Sequence, residues 1–398
     1  MDGHRLRLRA ERDPRGVTLA NWQDPPFNRW AFLHLDRLLT MAPISRGGGP
    51  ARELPRADRE LGGMTLGAGG ERVTLGQMLA ETFTDAFLVL HKGKVVIEQY
   101  ADGMSADTLH LTMSVSKSLT SALAGVFIGQ GRLDPAAPVP AYVRELQGTS
   151  FDSCTVQHLL DMRAGTRWSE DYSQFPGSDA FVQEQVIGWR PRTLPGLAPD
   201  MYAYMSSLTE NERPHGGPFE YRSILTDVLG WVLERAGGRS FAELFSAEIW
   251  SKLGAEHDAQ VTIDAGGCAV TDGGICTTLR DLARFGQLYL DDGGGIVPQD
   301  WARRVTNPDR ELARAFAGTP EAALYPGAAY HDLWWVVSPA REIFAALGIY
   351  GQMLLVHKTT GTVVAKFSTQ PEAWDIQTDY RQITASIALC DALAAGLA

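Results

Sequence analysis

Lysine is scarce in this sequence: only Lys92, Lys94, Lys117, Lys252, Lys358 and Lys366 occur among 398 residues. Of these, only Lys117 has a serine three positions before it, Ser114. An S-x-x-K pair arises about once by chance in a chain this long, so its context has to carry the weight. Here the pair opens a run of small and apolar residues, MSVSKSLTSALAGVFIGQGRLD (113–134). On a helix, positions i and i+3 share a face, so Ser114 Oγ and Lys117 Nζ can meet. A serine hydroxyl is a poor nucleophile and needs a base beside it. Desolvation in an apolar helix is expected to lower the lysine pKa, so that a neutral amine can take the serine proton. The free N–H groups at the helix start, that of Ser114 included, point where an oxyanion would form. The same pair also suits an N-cap serine with a snorkelling lysine.

Two further segments favour the chemical reading. PFEYRSILTDVLGWVLE places Tyr221-Arg222-Ser223 just before a helix. A tyrosine at that junction can sit over the Ser–Lys pair, where a cationic lysine is expected to make its phenol more acidic and able to relay a proton. LGIYGQMLLV (347–356) puts Gly348 and Gly351 at the start of a strand. Glycines there let a substrate approach the backbone, and a strand N–H can supply a second oxyanion donor.

The elements that must position these groups follow from the patterning. Residues 1–75 are rich in Pro, Gly and Arg and read as an irregular lead-in packed on the body, with a short helix over 32–39. AFLVLHKGKVVIEQYADG (86–103) reads as strand–turn–strand. Helices are expected over 113–134, 155–165, 223–238, 240–254 and 278–294, and again at the C-terminus. Strands are expected over 333–338 and 352–369, with a turn at Thr359-Thr360-Gly361. Strands at both ends and helices between predict an α/β (α+β) fold: one antiparallel sheet flanked by helices, with an all-helical insert. The expected units are 76–134 with 271–398 as the sheet domain, and 135–270 as the mostly helical one.

Composition excludes several classes. The hydrophobic share is 44% and the charged share 21%, the mixture of a globular chain. A net charge of −11 argues against nucleic acid or an anionic membrane as the main partner. The four cysteines have neither C-x-x-C nor zinc spacing, and the nine histidines are scattered singly, so no metal or other cofactor is expected. The charged N-terminus has no apolar h-region, which predicts a cytoplasmic protein. G-x-S-x-G, the P-loop motif and H-E-x-x-H are all missing.

Taken in order, S-V-S-K, Y-R-S and G-I-Y-G-Q resemble the three boxes of the serine β-lactamase and penicillin-binding-protein superfamily. The likeness is greatest to its class C-related esterases, and among them to the 6-aminohexanoate-dimer (nylon-oligomer) hydrolases. It extends through NWQDPPFNRWAFLHLDRLL, HLLDMRAGTRWSEDY, GWRPR and GGICTTLRDLARFGQLYLDDG, from about Asn21 to about Tyr380. The resemblance implies a β-lactamase/transpeptidase-like fold with the active site between two lobes. It implies Ser114 as nucleophile, Lys117 as base partner, Tyr221 as proton relay, and the N–H groups of Ser114 and Ile349 as oxyanion hole. Tyr172 resembles a tyrosine that closes over the substrate amide, and Asp272 a substrate-facing position. Asp179 and Glu184 lie near an acidic residue that holds the substrate amine in that family.

Two departures matter. The second box usually reads Y-x-N. The third usually begins with Lys or His, and here Tyr350 occupies that area. A lysine there grips a β-lactam carboxylate, so its loss favours esters or linear amides. The expected activity is therefore acyl-enzyme hydrolysis of carboxyl esters or amides such as 6-aminohexanoate oligomers. A β-lactamase, a D-amino-acid peptidase or a non-catalytic ligand binder are the alternatives. Either Lys117 or Tyr221 can be the primary base. The expected partner is a small ester or amide substrate, with no nucleic acid or membrane, and a homodimer is allowed.

Overall fold

The computed structural model describes residues 16–101, 103–171 and 176–397. From residue 16 onward the lead-in is more ordered than its composition predicts. A helical turn at Asn28–Ala31 and a 3-10 turn at Leu35–Arg37 replace the expected helix over 32–39. The His34 ring stacks on Trp30 at 4.5 Å, and its Nδ1 lies 2.8 Å from the Trp30 carbonyl oxygen. That contact ties His34 back to the first turn in place of continuing the helix. Strand β1 (Met41–Ile44) and the hairpin of β2 (Thr65–Ala68) and β3 (Glu71–Thr74) follow.

Strands β4 (Thr84–His91) and β5 (Lys94–Tyr100) form the expected hairpin. Lys92 and Gly93 carry its turn with φ of 51° and 74°. Positive φ at both central residues matches the twist of the flanking strands. Strands β6 (His110–Leu111), β7 (Ala259–Thr262) and β8 (Ile275–Thr277) come next along the chain. The last five are β9 (Ala329–His331), β10 (Trp334–Ser338), β11 (Ile343–Gly348), β12 (Gln352–His357) and β13 (Thr362–Ser368).

The main sheet is antiparallel, in the order β5-β4-β13-β12-β11-β10-β9. Side chains alternate across it, as strand geometry requires. Leu88, Leu90, Leu354 and Val363 enter the larger core, while Phe87, Val89, Leu355 and Val364 enter a second one on the opposite face. Helices Val115–Gly129 and Leu279–Leu290 cover the first face. Helices Leu75–Glu81 and Ile376–Ala394 cover the second. Each fully buried Leu or Phe contributes about 1.5–3 kcal/mol, so both faces need such cover.

Residues 135–270 hold helices Val156–Leu160, Asp179–Val186, Met201–Ser207, Ile224–Gly237 and Phe241–Phe245. They are not purely helical, because β7 belongs to a second sheet, ordered β1-β7-β8-β6. This sheet ties the lead-in, the helical stretch and the two flanks of the site together. Its short strands carry too few residues to show a period in sequence. No helix among the described residues is long and apolar enough to cross a membrane.

Candidate active site

Helix Val115–Gly129 begins immediately after Ser114. Met113 is held at φ 47°, a strained value for a residue with a side chain, and this kink aims Ser114 out of the helix start. Small residues let the helix sit deep in the core. A Cβ added at Gly125 would lie 2.4 Å from the Trp301 ring. Pairing of β6 with β8 then brings residues 271–275 alongside 112–117, with Thr112 N donating to the Ile275 carbonyl at 3.0 Å.

Lys117 is 1% exposed. Its Nζ lies 2.8 Å from Ser114 Oγ and donates to the Asp272 carbonyl at 2.8 Å. The Asp272 carbonyl is itself positioned. Asp227 Oδ1 accepts from the amides of Thr271 at 2.9 Å and Asp272 at 3.1 Å, fixing that turn. Lys117 therefore has a polar cradle rather than the apolar surround expected from sequence.

Tyr221 sits over the same pair, with Lys117 Nζ 5.0 Å from its ring centre. Trp335 stacks on the ring at 5.5 Å and Tyr330 meets it edge-on at 6.0 Å. The neighbouring Arg222 is fully buried and bonds to the carbonyls of Ala164 and Thr166 and to Glu212 and Glu220, which anchors the loop. The phenol is not made more acidic, contrary to the sequence expectation. Burial, and then the nearby Glu170 carboxylate, push its pKa well up, so it stays a neutral donor.

Strand β11 ends beside the serine. A Cβ on Gly348 would lie 3.0 Å from Ser114 N and 2.7 Å from the Thr112 carbonyl oxygen. Ile349 follows directly, and among the described residues neither its amide nor that of Ser114 donates to a turn or loop carbonyl. Two open donors thus flank the hydroxyl, the arrangement an oxyanion requires.

Two chambers meet at Ser114, Glu170 and Ile349. The larger has an empty volume of about 1080 Å³ including its mouth, and the smaller about 430 Å³. Asp272 and Glu184 line the smaller chamber. Glu184 is already engaged by Arg190 and by Gln23 at 3.2 Å. Burial raises the pKa of Glu170, Glu184, Asp227 and Asp272, and Asp227 is raised further by Asp272. Gln183 Nε2 bridges the two, donating to Asp227 Oδ2 at 2.8 Å and to Asp272 Oδ2 at 3.3 Å.

The other two candidates do not line either chamber. Asp179 accepts from the Ser169 amide at 2.9 Å at the start of its helix, so its carboxylate is spent on local structure. Tyr350 adopts φ 62° and turns its ring into the core, edge-on to Phe32 at 5.3 Å. Tyr172 lies outside the described residues. Sequence reasoning passed over Glu170 and Asp227. Glu170 takes hydrogen bonds from the Ser223 amide at 2.6 Å and hydroxyl at 2.8 Å, so the serine of Y-R-S has a partner here. The signal available was an acidic residue inside the W-S-E-D-Y stretch and another six positions after Tyr221.

This fold, with a hydroxyl flanked by an amine, a neutral phenol and two open amides at a two-chamber cleft, defines the class of the serine hydrolases. Residues 74–386 match the family model described as beta-lactamase. The chain is 38% identical over 364 residues to the 6-aminohexanoate-dimer hydrolase of Paenarthrobacter ureafaciens, across 89% of this chain and 88% of that protein. A solved Bacillus anthracis structure, provisionally titled a 6-aminohexanoate-dimer hydrolase, superposes with a TM-score of 0.87 at 26% identity, covering 96% and 98% of the two chains. EstCE1, a hydrolase with promiscuous acyltransferase activity, shares the fold at a TM-score of 0.59 and 14% identity, over 76% of this chain and 93% of its own. The chain belongs to the beta-lactamase family and is a hydrolase.

Proposed function

We propose that the protein hydrolyses carboxyl esters and linear amides through an acyl-enzyme on Ser114, with ω-amino-acid amides such as 6-aminohexanoate oligomers within its substrate class. The 2.8 Å approach of Lys117 Nζ to Ser114 Oγ, beneath Tyr221 and beside two open amides, carries this reading. Lys117 in its neutral form takes the Ser114 proton as Oγ bonds to the substrate carbonyl carbon. The carbonyl electrons move onto oxygen, where the Ser114 and Ile349 amides donate. Tyr221 gives its proton to the departing alkoxide or amine as the C–O or C–N bond breaks, and it regains a proton from Lys117. Water then attacks the ester on Ser114, and its proton returns by the same groups to Oγ as the acid leaves.

The test is Ser114→Ala against the parent enzyme on p-nitrophenyl acetate and a linear amide. Turnover and covalent labelling by a serine-directed phosphonate are both expected to vanish. Retention of substantial activity rejects the scheme. Nitrocefin, run in parallel, separates this reading from lactam hydrolysis.

A further inference from the structure

Lys366 stands on β13 opposite Phe87 of β4 and Met353 of β12, on the face of the main sheet that helix Ile376–Ala394 covers. Its side chain is fully buried. An apolar residue would suit that core, and an ammonium there costs stability that an apolar side chain would not. Burial works against the charge, and Asp85 and Asp379 favour it. The three protons of an ammonium meet three neutral acceptors. These are the Gly351 carbonyl at 3.2 Å, the Gln382 side-chain oxygen at 3.0 Å and the Ser368 hydroxyl. Gln382 is itself oriented: its Nε2 donates to Asp379 Oδ1 at 2.7 Å, which leaves its oxygen to face the lysine.

The acceptors come from three elements: the turn Ile349–Gly351, the last residue of β13 and the second turn of the C-terminal helix. The turn is the one that presents the Ile349 amide beside Ser114. Its next two residues are both left-handed, Tyr350 at φ 62° and Gly351 at φ 86°. A tyrosine in that region is strained and persists there only where its surroundings over-determine it. The Tyr350 amide donates to the Ala373 carbonyl at 2.7 Å, and its carbonyl accepts from the Gln370 amide at 3.2 Å. Those bonds hold the middle of the turn. Its last carbonyl, that of Gly351, takes a charge-assisted bond from an ammonium already fixed by two other partners.

We propose that Lys366 is a positioning residue: by gripping the Gly351 carbonyl it fixes the Ile349–Gly351 turn, and with it the second amide of the oxyanion hole, against Ser114. Lys366 lines neither chamber, so it acts through the turn and not on the substrate. A shift of about 1 Å in a group that meets the reacting carbonyl can cost about a hundredfold in rate, which is enough to give a remote tether kinetic weight. The proposal rests on the serine-hydrolase reading above and assigns a purpose to a buried charge that the proton path does not use.

The experiment compares the parent enzyme with Lys366→Met, which keeps the bulk and loses the donors. Steady-state kcat and KM are measured on p-nitrophenyl acetate and on an alkyl ester, with Tm recorded beside each assay. Lys366→Met is expected to lower kcat about ten- to a hundredfold on both esters alike, with KM within about threefold of the parent. A purely structural role would move Tm and leave the kcat of the folded enzyme where it was. A kcat within about twofold of the parent, or a loss carried by KM, overturns the proposal. Gln382→Met removes one of the three acceptors and leaves the lysine in place, and it decides the case if Lys366→Met does not fold. Its kcat is expected to fall at least about threefold with KM unchanged, and an unchanged kcat overturns the proposal. Backbone hydrogen exchange over 347–353, read by mass spectrometry on the parent and on whichever variant folds, tests the tether apart from the chemistry. Faster exchange in the variant is expected, and equal exchange rejects the tether. Full turnover by Ser114→Ala would sink the catalytic reading, while the exchange comparison would still decide whether Lys366 holds the turn.

Discussion

Replacing Tyr221 with Phe tests the proton path most directly. The ring should stay in place, because Trp335, Tyr330 and Lys117 Nζ pack against its faces and edges. The variant loses one hydroxyl and at most one net hydrogen bond, about 1 kcal/mol. For a chain of this length that lowers Tm by about 2 °C or less. The kinetic effect should be far larger. Because burial and Glu170 push the phenol pKa well up, Tyr221 enters the reaction carrying its proton, and its removal deletes a proton donor. Loss of a positioned acid or base costs about 10²–10⁴ in kcat, or roughly 3–5.5 kcal/mol of barrier. The loss should depend on the leaving group. Alkyl esters and amides need a proton on departure and should show the full effect. A p-nitrophenyl ester, whose leaving anion is stable, should lose much less. Steady-state kcat and kcat/KM for the three substrate types, with Tm as the folding control, decide it. An equal loss across the three substrates, or no loss on the amide, refutes the donor role.

Gly348→Ala places a Cβ 2.7 Å from the Thr112 carbonyl oxygen and 3.0 Å from Ser114 N, both backbone atoms that cannot swing aside. The end of β11 must then move off the serine, with kcat falling about 10²–10³-fold and KM changing little. An unchanged kcat would show that the strand end does not hold the oxyanion. His331 bridges Asp161 at 2.9 Å and Asp332 at 3.1 Å, tying helix Val156–Leu160 to β9. Burial opposes its charge, but Asp332 and Asp161 outweigh burial and raise its pKa above 6.5. Its stabilising effect is therefore complete below the ordinary histidine pKa and is lost as pH rises through the raised one. Chemical denaturation from pH 6 to 9 should show the parent losing stability relative to His331→Gln, and parallel curves would refute it.

What was legible in sequence follows from period and spacing. The hairpin β4–β5, the strands β12 and β13 and helix Val115–Gly129 are long enough to show their pattern, and Ser114 with Lys117, then Tyr221, then Ile349 lie in three short boxes in chain order. The second sheet was not legible, because β6, β7 and β8 have 2, 4 and 3 residues. Asp227 was hidden for another reason: it reads as one polar residue in an apolar helix, and its purpose appears only when the turn at 271–272 is folded against it. Asp179 and Tyr350 lie off the linings of the two chambers, because neighbourhood in sequence does not say which way a side chain turns. Asp179 is taken by a local amide, and Tyr350 by a left-handed backbone that points its ring inward.

The second sheet, the least visible part of the fold, also explains why Lys117 can work where it is. A buried ammonium beside a hydroxyl needs compensation, since stripping its water costs several kcal/mol. The structure supplies a neutral carbonyl at 2.8 Å and sets the carboxylate one layer back, with Asp227 gripping the amides on the far side of the same turn. Pairing of β6 with β8 fixes the distance between that turn and Ser114. Lys117 Nζ is thus held by a peptide carbonyl and by Ser114 Oγ, and among the described residues it makes no direct ion pair.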